Sequence, residues 1–158
     1  MAARIEISGE IGTKEILDGL IEAAIADQVT NYTSEDEHGW IEAEIRAAAD
    51  AGRAIALDGE GTTIFENLTS FCEDNGLSYR RTSDADDQFS AEIVTFDAAT
   101  GAKDEYEQGH RDRVVVGVDT LASLKDMAGL AALVESMRAG ERESAPIVLA
   151  IAPSPATA

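Results

Sequence analysis

The chain has 158 residues, 44% of them hydrophobic, so it can bury the core of one domain and is not globally disordered. Thirty-one acids against twelve bases leave a formal charge of −19, a field that repels polyanions and argues against direct binding of DNA or RNA. A single cysteine, Cys72, excludes an internal disulfide, and no run of eighteen apolar residues marks a membrane span.

Residues 4–8 alternate, with Ile5 and Ile7 opposite Arg4 and Glu6, and predict a short half-buried strand closed by a turn at Gly9 and Gly12. Thr13 is placed to cap a helix ending near Asp27, with Ile16, Leu17, Leu20, Ile21, Ala24 and Ile25 as its apolar stripe. After a polar linker, Ser34-Glu35-Asp36-Glu37 matches a capping box. The helix that follows carries Trp40, Ile41, Ile45 and Ala48 inward and stops at Gly52. Residues 54–57 read as a buried strand and Asp58-Gly59-Glu60-Gly61 as a turn.

Thr63 and Glu66 offer a second capping box. Ile64, Phe65, Leu68, Phe71 and Cys72 recur at helical spacing up to Asn75-Gly76. Strands over 77–81 and 89–97 are expected to pair as an antiparallel hairpin across an acidic loop. Residues 98–111 read as a long polar loop and 114–118 as a strand. One long helix is predicted from Asp119 or Thr120 to Gly140, then a strand over 147–151. The expected fold is α+β: a mixed or mainly antiparallel sheet with helices largely on one face, in a single domain over 1–152. Residues 153–158 read as a flexible tail.

The chemistry-bearing motifs are weak. Asp58-Gly59-Glu60-Gly61 sits between strand and helix, where phosphate loops occur, but its own acids oppose phosphate and no lysine follows. His38 and Glu42, four apart, could share a helical face and hold a metal, with Glu35 or Glu37 joining. Glu105, Glu107 and His110 form a second loose group. His110-Arg111-Asp112 matches a kinase catalytic tripeptide in a chain too short for that fold. No serine stands on a nucleophile elbow, and Cys72 reads as buried filler. No cofactor and no metal are assigned.

The acids instead suggest binding. Glu35, Asp36, Glu37, Asp84, Asp86, Asp87, Asp104, Glu105 and Glu107 fall in expected loops or first helical turns, where an array of carboxylates can imitate a phosphate track. In composition, though not in any motif, the chain resembles phage- and plasmid-encoded inhibitors, including nucleic-acid mimics and anti-CRISPR proteins. The function expected first is a non-enzymatic acidic protein that binds a basic, nucleic-acid-binding partner. Two alternatives stand beside it. One is a homo-oligomeric accessory protein, because the helix from Thr120 to Arg138 has more apolar positions than one face needs. The other is a metal-dependent enzyme using His38 or His110. The N-terminus lacks the apolar segment of a signal peptide, and the chain reads as cytoplasmic.

Overall fold

A computed structural model describes residues 2–29, 36–60, 64–85, 91–109 and 113–151. Among them run β1 (Ala2–Ile11), α1 (Lys14–Ala26), α2 (Glu37–Asp50), β2 (Ile55–Glu60), α3 (Glu66–Asn75), β3 (Ser78–Ser83) and β4 (Glu92–Asp97). They continue with β5 (Ala102–Gln108), β6 (Val114–Val115), α4 (Val118–Ala122), α5 (Met127–Gly140) and β7 (Ile147–Leu149). The fold is α+β, as expected. Its sheet is ordered β2-β1-β3-β4-β5-β6, antiparallel throughout, and β7 joins β1 in parallel. No helix among the described residues is long and apolar enough to cross a membrane.

The strand registers sort the sheet into two faces. Ile5 lies opposite Leu57 and Arg81, and Arg81 opposite Val94, so these side chains share one face with Ile7, Tyr79 and Phe96. Helices α1 to α3 cover it with Leu17, Leu20, Ile21, Ala24, Ile41, Ile45, Leu68 and Cys72, forming the main core. Thr82, Ile93, Tyr106 and Val114 align on the other face. The C-terminal end of α5 rests there: a Cβ on Gly140 would lie 2.8 Å from Val114 and 2.9 Å from the Tyr106 ring, so only glycine permits the approach.

Several sequence signals act as read. The Thr13 hydroxyl accepts the Ile16 amide, Gly52 and Gly76 take left-handed conformations behind α2 and α3, and Leu77 is buried after the second of these. The expected β3–β4 hairpin forms, with the Tyr79 and Phe96 rings stacked 5.6 Å apart.

Other elements depart from the sequence reading, each for a physical reason. β1 does not stop at Gly9. It runs on to Ile11 because Gly9, at φ +122°, passes 3.1 Å from Leu77 where its Cβ would stand, and Gly9–Ile11 then pair with β7. Asp58, Gly59 and Glu60 are not a turn but the end of β2, opposite Arg4, Ala3 and Ala2. Within the expected loop 98–111 lies β5. The Gly101 amide donates to the Asp97 carbonyl at 2.7 Å, Gly101 adopts φ +72°, and the chain returns along β4. The strand expected over 114–118 ends at Val115.

The single helix expected to begin at Asp119 or Thr120 is two. The Ser123 hydroxyl donates to the Thr120 carbonyl as α4 closes, and the Asp126 carboxylate accepts the Gly129 amide and starts α5 afresh. Both side chains compete with helical backbone bonding in this way. The final strand is limited to Ile147–Leu149. Ser34, Thr63 and residues 153–158 lie outside the described residues.

Candidate functional site

The acids singled out in the sequence are placed in separate parts of the fold. Asp36 caps α2, accepting the Gly39 amide at 2.9 Å, and Glu37 opens that helix. Asp84 is exposed just after β3. Asp104, Glu105 and Glu107 are all exposed on β5, but strand alternation divides them. Glu105 and Glu107 share the face of Val94 and Glu92, whereas Asp104 shares that of Thr95. Helix α2 packs near β2 and β7, four strands from β5 in the sheet order. Thus Glu105 and Glu107 come together, while Asp36 and Glu37 stand apart from them. Glu35, Asp86, Asp87 and His110 lie outside the described residues.

Among the described residues, seven of the eleven bases are tied to carboxylates. Arg4 meets Asp58 at 2.7 Å, Arg46 meets Glu42 at 2.9 Å, Lys103 meets Glu73 at 2.9 Å and Arg113 meets Glu141 at 2.8 Å. Exposed pairs of this kind contribute little stability. Their main effect is to mask positive charge, so the outer field belongs to the remaining acids. His38 lies 3.9 Å from Asp18, and Glu42 accepts two bonds from Arg46. Among the described residues no three His, Cys, Asp or Glu groups converge as metal ligands.

A shallow cleft of about 270 Å³ opens between α3, β3 and β5, lined by Glu66, Thr69, Glu73, Tyr79, Arg81 and Lys103 with four further residues. Its polar groups are largely engaged with each other. Lys103 donates to Glu73 and the Tyr79 hydroxyl donates to the same Oε1, at 2.9 and 2.7 Å. These two bonds hold the Glu73 carboxyl below its usual range, and burial drives the Tyr79 phenol upward. Arg81 donates from Nη2 to Glu92 at 2.6 Å and from Nη1 to the Ile64 carbonyl, while its buried Nε has no partner among the described residues. Cys72 is buried nearby, its thiol pushed up to about 12 by desolvation and by Glu73, so it is no nucleophile. The polar groups of the cleft thus form a hydrogen-bonded network centred on Glu73 and Arg81.

A residue missed in the sequence, Asp27, organises the start of α3. Phe65 precedes that helix with φ 54° and no side-chain acceptor. From the end of α1, the Asp27 carboxylate accepts the Asn67 amide at 3.1 Å, the Leu68 amide at 2.8 Å and Asn67 Nδ2 at 2.8 Å. No local pattern announces a cap supplied from forty residues away.

The other unusual surface is apolar. Helix α5 buries only Gly140 completely. Met127 is 76% exposed, Leu130 37% and Val134 39%, and with exposed Ala131 they fall at i, i+3, i+4 and i+7 along one stripe. On α4, Val118 is 80% exposed and Leu121 is also exposed. The helix is anchored at its far end, where Arg80 Nε donates to the Gly140 carbonyl and Glu141 accepts from the Val114 amide and from Arg113. An apolar stripe therefore stands on a helix held in place from one end. Compared with protein-family models, curated proteins and solved structures, the chain matches none.

Proposed function

We propose that this chain is a non-enzymatic protein-binding protein that docks through the apolar stripe of α4 and α5. The observation that carries this reading is the exposure of Met127, Leu130 and Val134 on one side of an ordered helix. Burying a fully exposed side chain of this size gains about 1.5–3 kcal/mol. Met127, at 76% exposed, offers most of that, and Leu130 and Val134, at 37% and 39%, a little over a third each, so together they supply a modest binding core. Affinity capture with the wild type and with the double variant Leu130→Glu, Val134→Glu tests it. The expected result is a partner lost with the variant. Identical captures by both proteins overturn the reading.

The electrostatic reading, an acidic decoy for a basic nucleic-acid-binding partner, is supported by a different observation. Glu105 and Glu107 project together from β5, and most described bases are already paired. Charge reversal at Glu105 and Glu107, or at Asp84, Asp86 and Asp87, would weaken such binding. The binding would also weaken as salt rises. A partner indifferent to both excludes it.

A further inference from the structure

We infer that the occupant of the α4–α5 apolar stripe is a second copy of this chain, paired antiparallel along α5 about a twofold axis near Ala132. The inference rests on the docking reading above and specifies its partner. Charge is the first argument. Residues 113–158 contain five acids (Asp119, Asp126, Glu135, Glu141, Glu143) and four bases (Arg113, Lys125, Arg138, Arg142), a net of −1. The remaining 112 residues carry −18. Two such molecules repel strongly wherever those parts approach, and the C-terminal segment is where that repulsion is weakest. The exposed apolar stripe lies within that near-neutral segment.

Self-complementarity is the second argument. A twofold interface must fit its own surface turned about the axis. With the axis at Ala132, Leu130 comes level with Val134, Met127 with Met137, and Asp126 with Arg138. Apolar residues thus meet apolar ones, and the acid starting α5 meets the base in its last turn. Exposed Ala131, within the stripe, allows the helices to approach closely. A fourteen-residue helix is about 21 Å long. One such pair covers less than the roughly 800 Å² per partner of a stable complex, so the dimer is weak and concentration-dependent.

Salt gives the dimer a signature opposite to that of a basic partner. Screening relieves repulsion between the two −18 portions, so self-association strengthens as salt rises. Sedimentation velocity from about 1 μM to 1 mM, at low and at high salt, is the experiment, since weak dimers dissociate in this range. The expected wild-type result is a dimer fraction that grows with both concentration and salt. In Leu130→Glu, Val134→Glu its Kd rises at least about tenfold, the effect of losing roughly 1.4 kcal/mol.

Cross-linking supplies a measurement that does not rely on disrupting the stripe. Ala131→Cys should join through a short bismaleimide, and Ser136→Cys, on another side of α5, should not; buried Cys72 does not compete. Equal cross-linking of the two overturns the antiparallel pairing. A wild type that stays monomeric throughout, yet loses a different protein with the double Glu variant, overturns the second copy and leaves the docking reading intact. Dimerisation only after residues 152–158 are deleted assigns the stripe to that segment and also overturns the inference. A dimer untouched by the double variant, with no other partner lost, removes both.

Discussion

Replacing Asp27 with alanine should destabilise the protein more than any other single carboxylate loss among the described residues. Asp27 is 7% exposed, and its oxygens accept three hydrogen bonds at the start of α3, from Asn67 N, Asn67 Nδ2 and Leu68 N. A bond to a charged acceptor contributes about 1.5–3 kcal/mol, and an N-cap is worth about 0.5–2 kcal/mol. The negative charge also faces the positive end of the helix dipole. Solvent can rehydrate the Asn67 side chain, but the Leu68 amide is buried and stays unpaired. These contributions overlap, and about 3 kcal/mol is the expected loss for Asp27→Ala. Asp27→Asn keeps one acceptor and loses the charge, so about half that loss is expected. In a chain of this size 1 kcal/mol moves the melting midpoint by about 2–4 °C, so the alanine variant should melt roughly 6–12 °C lower. Thermal and urea unfolding followed by circular dichroism give both quantities. An alanine variant within about 2 °C of wild type would show that α3 does not depend on this distant cap.

Gly19→Ala should be destabilising even though alanine favours helix interiors by about 1 kcal/mol, because its Cβ would stand 2.6 Å from Phe71 in the α1–α3 contact. A gain in stability would show that the Phe71 ring yields freely. Arg81→Met should cost about 1–3 kcal/mol, since it leaves the part-exposed Glu92 carboxylate without its cation and the Ile64 carbonyl without its donor, while removing a buried Nε that has no partner among the described residues. A loss above about 3 kcal/mol would contradict that balance. The Glu73 carboxyl titrates lower in the folded chain than in the unfolded one, so its pairing stabilises above the ordinary glutamate range and is lost as pH falls through the depressed value. Glu73→Gln should therefore flatten the acid limb of a stability–pH curve, and an unchanged limb would refute the assignment. Cys72, buried with its thiol raised to about 12, should resist alkylation at pH 8 until denaturant is added. Rapid labelling of the folded protein would show that the α3 core opens.

The main core was legible in the sequence. The apolar spacing of Leu17, Leu20, Ile21 and Ala24, or of Ile41, Ile45 and Ala48, is set by the helix period, and those residues are the ones buried. The Tyr79–Phe96 hairpin and the glycine stops at Gly52 and Gly76 follow from equally local rules. What the local pattern lacked, the tertiary structure decided. β5 is built from Lys103, Asp104, Glu105 and Glu107 around one half-buried tyrosine; its ladder to β4, not its composition, makes it a strand. Asp27 looked like a helix end until α3 arrived beside it. The acids of α2 and β5 were read together, but the order of strands in the sheet places them at a distance. Periodicity and capping act within a few residues and can be read along the chain. Strand neighbours, a cap from another helix and the choice of which apolar stripe stays uncovered depend on long-range approach, which no short stretch of sequence encodes.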